Sequence, residues 1–255
     1  MPETIKDWND RSIEIVRSKG GVIAVCDFAD NLIRGEGIPW PPPPVVQKLY
    51  ESRQSRAFIS DELAAATRRL GFYSDLQSIH SEDAITWSYF GSFLSEGVPK
   101  RAELLNWLLA RAELGEHSTS TRCQIDLWRR IPHPDRPTSS GGPELDVVLD
   151  GDAAVVFLEA KWRSKEAKNQ GVEKTKSQLQ LRRDFLGSIG PRVYGSRAFV
   201  VVGIVRDEPL EEATPPDANG VHTASISWDE LALYSAHPKR DEFGRYVQWK
   251  AHHSH

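Results

Sequence analysis

The run AVVFLEAKW, residues 154–162, places five apolar residues directly before an acid and a base two positions apart, Glu159 and Lys161. A short apolar run rich in β-branched and aromatic residues reads as a buried strand. The preceding stretch ELDVVLDGDA supplies a second strand at 145–149 and a turn at 150–153, so the two make a hairpin. Side chains alternate along an extended chain, which sends Glu159 and Lys161 to one face and Leu158, Ala160 and Trp162 to the other. A carboxylate and an ammonium at the end of a buried strand lose hydration, and that cost must be offset by a charged partner between them. A hairpin loop of two or four residues gives antiparallel partners with odd index sums, pairing Asp146 with Val155 or Phe157 and placing it on the face of Glu159 and Lys161. An odd loop or a bulge would break that agreement. The second Glu-Ala-Lys, Glu166 to Lys168, lies among Ser, Lys, Asn and Gln and reads as a solvated loop or helix start.

Around this hairpin the periodicity predicts helices over 81–94 and 101–114, a strand over 122–131, a helix over 172–186, strands over 198–204 and 224–227, and a helix starting at 228. The order helix, helix, strand, strand, strand, helix, strand is that of an α/β fold with a mixed sheet. The first eighty residues read as a mostly helical extension, with helices over 6–18, 45–56 and 60–70. They are interrupted by GEGIPWPPPP, whose prolines lack backbone donors and force an extended segment. The expected division is 1–80 and 81–255. The stretch ISDELAAATRRLG, 59–71, reads as an amphipathic helix in preference to a helix-turn-helix.

Several classes are excluded. A net charge of −4 is wrong for a protein that coats polyanions through global positive charge. Cys26 and Cys123 form no Cys-x-x-Cys and stand beside no zinc-type histidine spacing, so they are expected to be reduced and structural. No segment approaches the eighteen apolar residues of a membrane span, and the N-terminus lacks an apolar leader, so a cytoplasmic location is expected. His80, His117 and His133 have no Ser or Cys partner in a recognisable nucleophile setting, and AHHSH at the C-terminus reads as a plain tail.

The constellation Asp146, Glu159, Lys161, with its strand placement, resembles the PD-(D/E)xK nuclease superfamily, the restriction-endonuclease-like fold. That fold has a core of helix, three strands, helix and strand, the order read from Ser81 to Ile204. The resemblance assigns Asp146 to the first acidic position, Glu159 to the second and Lys161 to the lysine. The Pro-Asp dipeptide of the family appears here as Leu145-Asp146, with Pro143 and Glu144 just upstream, so Glu144 and Asp146 compete for the first position.

By the same resemblance, Glu82 on the helix before the sheet completes the metal site, with Asp83 its competitor and a helix-terminal role its alternative. The carbonyl of Ala160 is an extra ligand, and Gln178, with Gln180 behind it, is the glutamine on the helix after the lysine strand. The implied chemistry is Mg2+-dependent phosphodiester hydrolysis, with Mn2+ able to substitute and one or two metals undecided. The substrate is DNA, RNA not being excluded, and cleavage of both duplex strands implies a homodimer. From residue 161 to 183 eight Lys or Arg stand against two acids, which points to phosphate contacts by Arg163, Lys165, Lys168, Lys174, Lys176 and Arg182. The alternative is a protein that keeps the fold and binds nucleic acid without cutting it.

Overall fold

Why the apolar run at 154 ends beside charged groups is answered by its neighbours in the sheet. The computed structural model describes residues 3–18, 21–51, 74–135, 142–163, 175–206 and 217–254. The helix expected over 60–70 lies outside them. The chain divides into two compact units, Met1–Ser95 with Ala232–His255, and Glu96–Leu231. The boundary expected after residue 80 falls inside the first.

In the first unit, β1 (Glu3–Lys6), β2 (Ser12–Arg17) and β3 (Ile23–Val25) form an antiparallel sheet in the order β1-β2-β3. The helix expected over 6–18 is therefore a hairpin. Ser12 to Ile15 alternates with period two, burying Ile13 and Ile15 and exposing Ser12 and Glu14, which a helix would not do. The Asp7 carboxylate closes the turn by accepting the N–H groups of Asn9 and Arg11, both at 2.8 Å, with Asp10 at a positive φ of 59°. The helices are α1 (Pro43–Glu51), α2 (Glu82–Phe90), which a 3-10 turn Gly91–Phe93 prolongs, and the C-terminal Arg240–His253. Ser81 caps α2, its Oγ accepting the Ala84 N–H at 3.0 Å. Aromatic rings fill the space between them: Trp8 against Tyr246, and Tyr89 against Phe243.

The second unit is built on a five-stranded mixed sheet. α3 (Val98–Arg111) precedes β4 (Cys123–Arg130), β5 (Glu144–Gly151) and β6 (Ala154–Ala160), which run antiparallel to one another. α4 (Gln178–Ser188) and α5 (Gly190–Tyr194) carry the chain to β7 (Ala198–Val205), parallel to β6, and β8 (Val221–Ser227) is parallel to β7. α6 (Trp228–Ala232) follows directly, and Arg240–His253 is then α7. The mixed α/β architecture expected from the element order is present, with α4 beginning at Gln178, later than the 172 expected. Ser177 sets that start by accepting the Gln180 N–H at 3.2 Å, and 172–174 lie outside the described residues.

β6 is buried from end to end, as a central strand covered on both faces must be. Val148, Val155 and Phe157 join Leu179, Phe185 and Leu186 of α4 in one apolar cluster. This face of β6 carries Glu159 at its end. In the β5–β6 register Val147 pairs with Leu158 and Asp150 with Val155, across the two-residue loop Asp152–Ala153. Extending it sets Asp146 opposite Glu159. The expected partners Val155 and Phe157 are thus displaced by two or four residues, a shift that preserves the face.

Candidate active site

The end of β6 gathers four charged groups. Lys161 Nζ donates to Glu159 Oε1 at 2.8 Å, and the Arg182 guanidinium of α4 is ion-paired with Glu159 Oε2. Glu159 is 1% exposed, Arg182 2% and Lys161 8%. Asp146 Oδ2 accepts the Ala160 N–H at 2.8 Å. The ladder between β5 and β6 ends at Val147 and Leu158, so the Asp146 carboxylate takes a strand donor that no β5 carbonyl serves. Two carboxylates and two cations therefore lie within one small volume, formally neutral in sum. Burial pushes the Glu159 carboxyl above its ordinary value, and the Asp146 carboxylate adds to that, while Arg182 and Lys161 pull it back down.

Arg182 also binds the ends of its two elements together. Its Nη1 donates to the Gln178 carbonyl at 2.9 Å and its Nη2 to the Glu144 carbonyl at 2.8 Å. A guanidinium presents donors in a planar fork, which lets one side chain serve a carboxylate and two carbonyls at once. On the other side of β5, Trp128 adopts a left-handed φ of 54°. The β4–β5 pairs resume on either side of it, Leu127 with Val147 and Arg129 with Leu145, and skip the Trp128–Asp146 position. For a bulky residue this is a strained conformation, and such strain concentrates at functional sites.

The expected site residues fall into three groups. Asp146, Glu159, Ala160 and Lys161 meet as expected, and Glu144 does not join them, because its carboxylate is 3.2 Å from Arg130 across β4. Gln178, the first residue of α4, is half-buried and contributes its carbonyl to Arg182. Glu82 belongs to the other compact unit, as does Asp83, which is 3.2 Å from Lys48.

Among the expected phosphate contacts, Arg182 is corrected, because a guanidinium 2% exposed and paired with Glu159 presents no face to a polyanion. Lys176 is half-buried, its ammonium lying 2.6 Å from Asp135 and 2.8 Å from Asp184. Arg163 is exposed, and Lys165, Lys168 and Lys174 lie outside the described residues, as does the second Glu-Ala-Lys. Trp162 is core, as expected from its face.

A cleft of about 330 Å3, lined by Arg122, Gln124, Asp150, Asp152 and Arg197, sits at the opposite, loop end of the β5–β6 hairpin, and Arg197 there is held by Asp150 at 2.5 Å. Among the described residues no group of three or more His, Cys, Asp or Glu is arranged to hold one ion, and no helix is long and apolar enough to cross a membrane. No protein-family model, curated protein or solved structure matches the chain.

The end of β6 carries two carboxylates, Asp146 and Glu159, with oxygens engaged by the Ala160 N–H, Lys161 and Arg182. Mg2+ takes one or two protein carboxylates and fills its remaining positions with water, and Asp146 and Glu159 are two such groups brought together. The buried Glu159 carboxylate, with Arg182 and Lys161 already beside it, is a site in which charge has been concentrated at the expense of hydration.

Proposed function

We propose that the chain is a metal-dependent nuclease that hydrolyses phosphodiester bonds in DNA, with Asp146, Glu159 and Lys161 at its centre and a restriction-endonuclease-like core beneath them. The observation that carries this reading is the convergence of those three side chains at the end of one hairpin, the Asp146 carboxylate on the Ala160 N–H and the Lys161 ammonium on Glu159. An α/β sheet with strands antiparallel up to β6 and parallel beyond it supports the same reading.

In this proposal Asp146, Glu159 and the Ala160 carbonyl would hold Mg2+, which would supply positive charge to offset that on the phosphoryl oxygens and would make water more acidic. Lys161 has two roles open to it from its place beside Glu159: to orient the attacking water, and to offset charge on the phosphate. Arg182 positions Glu159 from behind, its fork fixed by two carbonyls. Cleavage of both strands of a duplex calls for two such centres, so a homodimer forms part of the proposal, and light scattering measures it.

A second reading is favoured by one observation. Both oxygens of Glu159 already have cationic partners in Lys161 and Arg182, so the cluster is closed on itself, as in a protein that binds nucleic acid without cutting it. Incubating the full chain with plasmid, linear duplex, single-stranded DNA and RNA, in Mg2+ or in EDTA, separates the two. Metal-dependent cleavage should appear, and Asp146→Asn, Glu159→Gln and Lys161→Ala should each lower it on the order of a hundredfold or more while the circular dichroism spectrum is retained. Binding without cleavage on every substrate, or cleavage indifferent to all three substitutions, refutes the nuclease.

A further inference from the structure

Two histidines 105 positions apart in the chain face each other within the Glu96–Leu231 unit. His117 ends the 3-10 turn Gly115–His117 that follows α3, and His222 is the second residue of β8, the edge strand of the sheet. Both side chains are half-buried and so reachable from solvent. Their Nε2 atoms are 3.3 Å apart, with ring centroids at 4.9 Å and planes inclined by 65°. The Glu116 carboxylate, largely exposed, comes within 3.6 Å of His117 Nε2.

Two kinds of contact bring imidazole nitrogens this close, and their geometries differ. In a straight N–H···N hydrogen bond the two rings point at one another, which at this nitrogen separation puts the centroids about 5.6 Å apart, and bending shortens that distance. When both nitrogens bind one tetrahedral ion at about 2.0–2.1 Å, they stand about 3.3–3.4 Å apart and the tilted rings have centroids at about 5.2 Å. The observed pair, 3.3 Å between nitrogens and 4.9 Å between centroids, lies below both centroid values and nearer the second.

We propose that His117 and His222 chelate a divalent transition-metal ion of the Zn2+ class through their Nε2 atoms. Imidazole donors suit Zn2+, Cu2+ and Ni2+, whereas Mg2+ requires oxygen. Two protein donors leave positions for water, and rotation of the exposed Glu116 side chain supplies a third donor. The site is distinct from the acidic centre. His222 is level with Val156 through Val200, three residues before Glu159 along β6 and two strands away, which is about 10 Å along the strands and about 10 Å across them. An ion here ties the segment after α3 to the sheet edge, a link between elements far apart in sequence. It stabilises the folded chain because the unfolded chain does not hold the pair together.

The C-terminal His252, His253 and His255 could bind metal independently, so the experiment starts from the full chain with those three changed to Ala. Isothermal titration with ZnCl2 should show one Zn2+ per chain, with a rise in melting temperature, and a large excess of MgCl2 should leave it in place. In that background His117→Ala and His222→Gln should each weaken Zn2+ binding by at least tenfold, and Glu116→Gln by less. Because His117→Ala could disturb the turn, circular dichroism of each metal-free variant is recorded, and Co2+ absorption reads the coordination geometry directly. Failure of the tail variant to take up Zn2+ means that the pair is a hydrogen bond only and overturns the proposal. So does Zn2+ uptake that survives His222→Gln.

Discussion

Replacing Arg182 by Met tests whether the charge cluster at the end of β6 is held together electrostatically. The substitution keeps an unbranched side chain of similar length and removes the guanidinium, leaving Glu159, 1% exposed, with Lys161 as its remaining cationic contact among those described. Removing one partner of a buried ion pair costs about 3–5 kcal/mol, because the other charge remains desolvated. The donors to the Gln178 and Glu144 carbonyls are lost as well, each worth about 1 kcal/mol net, though the losses overlap. A total of about 4 kcal/mol corresponds to a fall of roughly 10 °C in the melting transition.

The penalty should depend on pH with a definite sign. Glu159 in the folded chain holds its proton more tightly than in the unfolded chain, so its contribution is fully present below the unfolded carboxylate value and is lost as pH rises through the higher, folded one. Loss of Arg182 raises the folded value further, so Arg182→Met should cost little more than its hydrogen bonds near pH 4 and its full amount near pH 8. Urea unfolding at both pH values, with Glu159→Gln and the double variant completing a cycle, measures this. A loss below about 1 kcal/mol near pH 8, or one that is the same at both values, refutes the electrostatic account.

Two further expectations concern the scaffold that positions the cluster. A Cβ at Gly151 would meet Leu105 Cδ2 at 2.3 Å, Ser120 Oγ at 2.7 Å and the Ala154 carbonyl at 3.0 Å, so Gly151→Ala should destabilise by about 1–3 kcal/mol in urea titration. Glu113, exposed and two residues past the end of α3, has a left-handed φ of 62°, so Glu113→Gly should stabilise by about 1 kcal/mol. A neutral result for Gly151→Ala, or destabilisation by Glu113→Gly, would contradict those local geometries.

The hairpin was legible because its signals are local. The apolar run at 154, the turn residues before it and the alternation of side chains are enough to place Asp146 and Glu159 on one face, and the structure departs from that reading only in the register. The Lys6–Ser18 region misled for the converse reason. Polar residues of the turn, Asp7 and Asn9 to Arg11, mask a four-residue alternation too short to stand out from a helical pattern. Arg182 could have been recognised: it stands three residues after Leu179 and four before Leu186, at an apolar position of α4 that should be solvent-free. Its charge drew attention to phosphate instead. The left-handed Trp128 and the His117–His222 contact carry no signal of their own, since neither a φ value nor a pair 105 residues apart shows in local periodicity.

What the residues determined unaided was the type of each strongly patterned element in the Glu96–Leu231 region and the side of the hairpin on which its charges emerge, because alternation and helical spacing are properties of neighbouring positions. Which of the many lysines and arginines meet a carboxylate was decided only by the folded chain. A salt bridge depends on where two helices and strands end in space, and in this protein that turns Arg182 inward onto Glu159 and ties Lys176 to Asp135 and Asp184.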